Sequence, residues 1–405
     1  MNVFFKLRKI DHIFSNKMLD LEKIFKVDLW IFENNKDNNK KTFFKNFISL
    51  SRLLLKTVYL SIFSNPLIIF PKSKKLSIFY IRAHSRPDLD KHSQCYENVE
   101  DTTVCIFSKR TKKVDIVTIF FCIFLLIKFK NIWLKALNDN HVNLFSMAGF
   151  KIFTHFFGAL SDVLKVFPLL TKHSKLVSFQ EMVLVENLIC QIANISNIKT
   201  FALQHSLSAY SEKDSYELRY PVTSYLNSVC KNILCWGNYN KFIFKKHVNS
   251  KIFVIGKPTL PDEKIFLEGV TIIFENLEFH DTNQKLLSIS KSLIDIGISV
   301  SRWFKPNNPV IKNVIGRDGP LRKVIIGGNS SLLVELGYLG GRVFVTNESN
   351  IRNELPDDLI LENSNEISKK FFSPNKYPHD VWKNFIDCSG KECVIRYKNI
   401  VLYND

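Results

Sequence analysis

The sequence predicts an α/β protein of two successive domains, each with a mostly parallel sheet. First, a chain of 405 residues corresponds to about two domains at roughly 100–200 residues each. Second, short apolar runs alternate with stretches of helical periodicity after residue 170, which is typical of β-α units. Third, the breaker-rich segment 256–262 (GKPTLPD) separates two such series and reads as a linker. We therefore expect domains at 1–256 and 257–375, and a tail at 376–405 that packs back on the first domain.

The first-domain elements follow from runs of β-branched and aromatic residues and from apolar stripes at helical spacing. Strands are predicted at 76–82, 103–107, 142–146, 176–179, 199–203, 233–236 and 252–255, and helices at 150–170, 181–193 and 240–247. In the second domain the same criteria predict strands at 270–274, 298–302, 324–326, 342–346 and 359–361, and helices at 282–296, 330–339 and 366–372.

The net charge is +18, and it is concentrated in the first part of the chain. Residues 1–150 contain 25 Lys/Arg and 13 Asp/Glu, a balance of +12, which suits an anionic partner. No zinc-finger spacing, RNP-like motif or arginine-rich arm is present, so we expect no nucleic-acid partner. The anionic partner is then a membrane surface, a substrate or an acceptor.

The eight cysteines form no CxxC pair, and several lie in apolar runs, so we expect reduced, mostly buried thiols in a cytoplasmic protein. The N-terminus lacks the features of a signal peptide. The longest apolar run, residues 116–127 (IVTIFFCIFLLI), is shorter than the ~20 residues that span a bilayer. It is either a buried element or a membrane-surface helix with basic flanks, which would place the protein peripherally on the inner membrane.

The most informative segment is a strand that ends in Gly327-Gly328 and continues as Asn329-Ser330-Ser331 into a helix. The glycines permit close approach of a ligand to the backbone, and Asn329 or Ser330 caps the helix. Free amides at the helix start and the serine hydroxyls predict an anion site. Glu335, one turn later, would accept hydrogen bonds from ribose hydroxyls. We expect alanine at Ser331 or Glu335 to weaken donor binding while the fold stays intact.

Two further segments lie at the carboxyl ends of predicted strands, where open α/β sheets bind ligands. Lys305 follows the strand at 298–302 and could neutralise a phosphate. His205 follows the strand at 199–203 in the first domain. A neutral imidazole there could take a proton from an acceptor hydroxyl. A structural histidine in a turn is the alternative.

The polar, Tyr-rich stretch 207–229 follows His205 and interrupts the β-α rhythm. Such a loop beside a cleft commonly holds substrate. Its acidic residues Glu212, Asp214 and Glu217 are therefore alternative catalytic bases.

These motifs together resemble GT-B glycosyltransferases of bacterial surface-polysaccharide biosynthesis, which make capsule and lipooligosaccharide. The resemblance covers about residues 170–350 and is carried by Leu-Gln-His-Ser at 203–206, Gly-Lys-Pro at 256–258, Lys305-Pro306, and Gly-Gly-Asn-Ser-Ser followed by Glu335. The paired serines of the family match Ser330-Ser331, whereas its His-Pro pair is replaced here by Lys305-Pro306 or Asn308-Pro309. The resemblance implies a GT-B-like fold, with two Rossmann-type domains facing a central cleft.

The function implied is transfer of a sugar from a nucleotide-sugar donor to a growing surface glycan. Lys305, Ser330, Ser331 and Glu335 would bind the donor, and His205 would act as base. We expect no metal and no cofactor besides the donor. The alternatives are a polyol-phosphate transferase on the same fold, a sugar-nucleotide 2-epimerase, and a non-catalytic partner in glycan assembly.

Overall fold

The computed structural model describes residues 19–20, 43–73, 76–83, 87–131, 134–135, 147–179, 184–205, 228–261, 267–275, 279–304, 317–349, 351–362, 366 and 377–403. They form two α/β domains with one sheet each, so the predicted fold class of two Rossmann-type domains is confirmed.

The first domain is built on a seven-stranded sheet with strand order β1-β3-β2-β4-β5-β6-β7. The strands are β1 (Ser64–Ile69), β2 (Ile78–Arg82), β3 (Thr102–Lys112), β4 (Lys175–Ser178), β5 (Lys199–Leu203), β6 (Asn232–Cys235) and β7 (Lys251–Val254). All neighbours pair in parallel except β1, which pairs antiparallel with β3 at the edge. Because the central strands are buried on both faces, their sequences are continuous apolar runs.

The helices of the described first domain are α1 (Phe43–Phe63), α2 (Pro87–Glu97), α3 (Ile116–Lys128), α4 (Met147–Leu170), α5 (Leu184–Ile195) and α6 (Asn238–His247). Helix α4 is long and apolar enough over Gly149–Leu170 to cross a membrane, but 67% of that stretch is buried inside the protein. Its residues Ile152, Leu160 and Phe167 contact the core on one face of the sheet. A core helix of a globular domain accounts for this composition.

The second domain is built on a six-stranded sheet with order β10-β9-β8-β11-β12-β13. Its elements are β8 (Leu267–Ile273), α7 (His280–Asp295), β9 (Val300–Trp303), β10 (Arg317–Asp318), β11 (Arg322–Gly327), α8 (Ser331–Tyr338), β12 (Arg342–Thr346) and β13 (Ile360–Leu361). Only the β10–β9 pair is antiparallel among these described strands. The carboxyl ends of β8, β9, β11 and β12 therefore share one edge.

The C-terminal segment contacts both domains. A short 3-10 helix, His379–Asn384, places Trp382 against Gly337 of α8, where an added Cβ would lie 2.5 Å from the indole. Helix α9 (Lys391–Lys398) and the π-helical turn Asn399–Tyr403 then pack on the other face of the first sheet. Tyr397 and Val401 belong to that core together with Tyr80 and Phe201.

The chain crosses between the domains at two adjacent places. Gly256 has a φ of +88°, and an added Cβ would lie 2.3 Å from the Cys388 carbonyl oxygen. The next residue, Lys257, donates its backbone N–H to Cys388 O at 2.9 Å and forms a parallel bridge with Ser389. The linker and the returning tail therefore lie side by side.

The positions of the predicted elements agree with the structure to within a few residues, except where the chain is not described. The predicted strand at 142–146 and nearly all of the predicted helix at 366–372 lie outside the described residues. All eight cysteines are free thiols, and seven of them are buried. The apolar run at 116–127 forms α3, of which one face is buried and the other is exposed.

Candidate functional site

The glycine-rich turn of the second domain is held by a carboxylate that the sequence analysis did not identify. Glu275 lies two residues beyond the end of β8, the strand beside β11, and is 1% exposed. Its Oε1 accepts the backbone N–H of Asn329 at 2.6 Å and of Ser330 at 2.9 Å. The backbone N–H of Glu275 in turn donates to Asn283 Oδ1 at 2.8 Å. A buried acid directly after a buried strand was the available sequence signal.

This arrangement changes the interpretation of the predicted anion site. Ser330 occupies the N-cap position of α8, but its side chain makes no capping hydrogen bond within the described ranges. The carboxylate of Glu275 satisfies two amides at the turn and complements the positive end of the helix. The amides of Asn329 and Ser330 are thus not free for a phosphate, and a ligand anion there would meet a negative charge. The half-buried Ser331 is the remaining polar side chain at the helix start.

The two glycines have a packing reason. A Cβ on Gly328 would lie 2.7 Å from Thr282 Cγ2 and 3.3 Å from Glu275 Cγ. A Cβ on Gly327 would lie 2.9 Å from Leu333 Cδ2. Contacts below 3.0 Å require Thr282 or Leu333 to shift, so the packing of these side chains favours glycine at both positions. Their part in ligand binding stays a prediction.

Glu335 lies one turn into α8 and forms an ion pair with Lys257 of the linker. Its Oε1 is 2.7 Å from Lys257 Nζ, and the side chains of Glu335 and Lys257 are 11% and 10% exposed. The Lys257 ammonium also lies 4.8 Å from the centroid of the Trp236 ring, a cation–π contact. A ribose at Glu335 would share the carboxylate with Lys257. The ribose role of Glu335 stays a prediction.

His205 lies where the sequence placed it, at the carboxyl edge of the first sheet two residues beyond the end of β5, and it is half-buried. Its ring centroid is 6.0 Å from that of Phe179, which follows the neighbouring strand β4.

A second histidine, His92 of α2, approaches the same place. It is 4% exposed, and its ring centroid is 5.6 Å from Phe179 and 6.0 Å from Trp236. Burial lowers the pKa of His92 well below 6.5, and the nearby charges of Lys257 and His205 lower it further. His92 is therefore neutral at neutral pH.

One ring nitrogen of His92 has no hydrogen-bond partner within the described part of the chain. This atom, Nε2, is buried. The Gln204 backbone acts in the opposite direction to burial and raises the pKa of the imidazole. Nε2 is therefore the nitrogen of His92 that a ligand polar group would satisfy.

Gln204, next to His205, fixes the surroundings of this cluster. Its Oε1 accepts the Trp236 backbone N–H at 2.8 Å, and its backbone oxygen accepts the Trp236 indole N–H at 2.9 Å. Its amide nitrogen donates to Asn240 Oδ1 at 2.8 Å. The glutamine of the Leu-Gln-His-Ser turn thus orients the indole that contacts Lys257.

Helix α2, which carries His92, is anchored by ion pairs at the end of β2. The Arg82 side chain is 4% exposed and pairs with Asp90 and with Glu97, the latter at 2.8 Å. Asp90 is the second acid of an Asp88-Leu89-Asp90 sequence, and the structure assigns it to this pair. These contacts hold His92 in place.

The cleft cluster, defined here as His92, His205, Lys257 and Glu335 with Trp236, therefore contains two of the predicted site residues, His205 and Glu335. The sequence analysis did not assign His92, Lys257 or Trp236 to the site. Lys305 and the alternative bases Glu212, Asp214 and Glu217 lie outside the described residues, as does the rest of the loop at 207–227.

Comparison with known proteins gives weak likenesses only. Neither a protein-family model nor a curated protein matches the sequence. A structure assigned as a UDP-N-acetylglucosamine 2-epimerase from Listeria monocytogenes is 9% identical with a TM-score of 0.49, over 82% of this chain and 98% of that one. A Rickettsia africae glycosyltransferase is 9% identical with a TM-score of 0.39, over 82% of this chain and 100% of that one.

An α,α-trehalose-phosphate synthase (UDP-forming) from Burkholderia vietnamiensis is 7% identical with a TM-score of 0.40, over 80% of this chain and 94% of that one. All three TM-scores lie below 0.5, so these likenesses carry no argument about function. The fold class rests on the two parallel sheets of the chain itself.

Proposed function

We propose that the protein is a GT-B-type glycosyltransferase that transfers a sugar from a nucleotide-sugar donor to an acceptor glycan. The observation that carries the proposal is the cleft cluster. The buried His92 lies within the electrostatic reach of His205, at a strand end of the first domain, and of Lys257, which pairs with Glu335 on a helix of the second domain. Proton transfer and nucleotide binding would thus be supplied from opposite sides of one cleft.

In the proposed reaction an acceptor hydroxyl attacks the anomeric carbon of the donor sugar. His205 takes the hydroxyl proton, and the nucleotide phosphate leaves with the electron pair of the broken bond. Ser331, Lys305 and Glu335 would hold the nucleotide. His92, neutral and with Nε2 lacking a partner among the described residues, is suited to form a hydrogen bond with a sugar hydroxyl. The reaction needs no metal in this proposal, and the acceptor is a bacterial capsule or lipooligosaccharide chain.

A nucleotide-sugar panel tests the proposal. Purified protein is incubated with UDP-, GDP- and CMP-sugars, and release of nucleotide is followed with and without oligosaccharide acceptors. We expect turnover with one nucleotide class, and the preferred nucleotide identifies the donor. Absence of turnover and of nucleotide binding across the panel would contradict the proposal and favour a non-catalytic partner.

The base is tested by His205→Asn. General acid–base catalysis contributes roughly 10²–10⁴-fold, so we expect turnover to fall by that factor with little change in nucleotide affinity. His379→Asn is the matched control, because His379 is an exposed histidine in the tail segment on the second domain. Near-normal turnover in His205→Asn would transfer the role to Glu212, Asp214 or Glu217.

A sugar-nucleotide 2-epimerase is the second candidate, and His92 is the observation that favours it. Epimerisation at C2 needs several acidic and basic groups in the cleft, and the structure adds a buried histidine beside His205. The same panel separates the two, since an epimerase changes the donor sugar without any acceptor, which NMR of the sugar product detects.

A further inference from the structure

The exposed face of α3 is apolar along its whole length. Six side chains at positions 116, 117, 120, 123, 124 and 127 are each 42–70% exposed. Their spacing places them on one side of the helix. These residues, Ile116, Val117, Phe120, Ile123, Phe124 and Ile127, define what we call the α3 apolar face.

The opposite side of α3 is fixed to the first domain. Ile119, Cys122, Leu125 and Leu126 are buried in the same core as Phe156 and Leu160 of α4. Thirteen residues of helix extend about 20 Å, which is shorter than the ~30 Å apolar layer of a bilayer. The helix can therefore lie along a surface but cannot cross a membrane.

Basic side chains predominate around the α3 apolar face. Residues 102–131 contain six basic side chains, at 109, 110, 112, 113, 128 and 130, and a single acid, Asp115. Of the six, Arg110 is paired with Asp162 of α4. Asp115 is engaged as the N-cap of α3, accepting the Thr118 backbone N–H at 3.0 Å. Lys112 and Lys113 precede the helix, and Lys128 and Lys130 lie at and beyond its end, all four exposed.

The apolar surface continues beyond the helix. Lys113 donates its backbone N–H to Phe63 O at 3.0 Å, which brings the end of α1 beside the start of α3. Phe63 is 42% exposed and its ring lies 4.9 Å from that of Tyr59, itself 61% exposed. Aromatic side chains beside lysines are typical of protein surfaces that lie in the interface of a bilayer.

We infer that the α3 apolar face docks the protein onto an anionic lipid bilayer, with the four flanking lysines against the headgroups. Apolar burial and attraction to anionic lipid act together in this mode of binding. The surface lies on the first domain and contains no member of the cleft cluster. The inference is therefore independent of the proposed function.

Vesicle co-sedimentation of the full chain tests the inference. The vesicles contain phosphatidylglycerol and phosphatidylethanolamine, and phosphatidylcholine vesicles serve as the neutral comparison. We expect binding to the anionic vesicles that weakens as salt rises, because exposed charges are screened over about 10 Å at 0.1 M.

Two variants and one control identify the face. The double variant Phe120→Ser with Phe124→Ser should lower the vesicle partition coefficient by about 100-fold. Each phenylalanine withdrawn from lipid accounts for about 10-fold of this loss. Lys112→Gln with Lys113→Gln should lower it by about 5-fold for each lysine. Phe242→Ser is the matched control, since Phe242 is 51% exposed like Phe124 and also lies under a lysine four residues later.

Unchanged binding by the double phenylalanine variant, or equal loss in Phe242→Ser, overturns the inference. The inference is also overturned if the wild-type protein does not bind anionic vesicles and instead forms a dimer that is lost in the double phenylalanine variant. Nucleotide release without lipid is measured on the same samples, and we expect it to be unchanged, which separates this test from that of the proposed function.

Discussion

The buried pair of Lys257 and Glu335 predicts a strong energetic coupling between the two domains. Glu335→Gln removes the charge that faces Lys257 Nζ at 2.7 Å, where the two side chains are only 10–11% exposed. The ammonium then stays buried beside Trp236 without its counter-ion. Breaking a buried pair in this way costs about 3–5 kcal/mol, and we expect a loss of that size in the free energy of unfolding.

Removing both charges is expected to cost far less. In the double variant Lys257→Met with Glu335→Leu, apolar side chains of similar volume replace the ion pair. Such a replacement often leaves the free energy of unfolding nearly unchanged. A double-mutant cycle, with Lys257→Met and Glu335→Leu as its single variants and urea unfolding followed by tryptophan fluorescence, should therefore give a coupling energy of about 3 kcal/mol or more. Lys257→Met should also raise the pKa of His92, because Lys257 is one of the groups that lower it, and NMR titration measures this.

An additive cycle would refute the reasoning, since it would mean that the two charges stabilise the fold separately. The expectation that alanine at Glu335 leaves the fold intact stays a prediction, and the pair with Lys257 adds the expectation that this variant is less stable. A weaker donor affinity in Glu335→Ala alone would combine two effects, the loss of a ligand contact and the loss of protein stability. The ribose role is better tested in the background of Lys257→Met.

Three further predictions follow from the site. Ser331→Ala should weaken nucleotide binding by about 10- to 150-fold in calorimetric titration if its hydroxyl binds the phosphate, and unchanged affinity removes that assignment. Glu275→Gln should cost about 1.5–3 kcal/mol of stability in urea unfolding without weakening nucleotide binding, because its carboxylate holds two backbone amides; weaker binding by the folded variant would assign Glu275 to the ligand instead. Burial holds His92 neutral in the folded protein by lowering its pKa well below 6.5, so the unfolded chain takes up this proton first as the pH falls through about 6.5. Stability should therefore fall with pH by at most about 1.4 kcal/mol per pH unit from this group, and His92→Gln should show a shallower slope between pH 7 and 5.5.

The parallel strands were predictable from the sequence because burial on both faces leaves continuous apolar runs, as in β2 and β6. The edge strand β1 was not, since Pro66 interrupts its pattern. The structure accommodates Pro66 at an irregularity of the antiparallel β1–β3 pairing. A proline is tolerated at such a place because an edge strand leaves backbone donors unpaired.

The candidate site was predictable only where a residue follows a strand, as His205 does. The sequence of α2 (PDLDKHSQCYE) is polar and reads as a solvated helix, so His92 gave no signal. It is buried because Trp236 and Tyr96 lie against it. The pairing of Lys257 with Glu335 joins a linker to a helix of the next domain, and local patterns contain no information about such a contact.

The C-terminal tail has a consequence for the order of folding. Cys393, Tyr397 and Val401 complete the core on one face of the first sheet, and Lys175 donates its ammonium to Leu402 O at 2.8 Å. These residues are synthesised after the second domain, although the sheet they cover precedes that domain in the chain. Tyr80 and Phe201 of the first domain therefore stay uncovered until the tail has been synthesised. A nascent chain stalled after the second domain should bind chaperones, and the free tail peptide should release it.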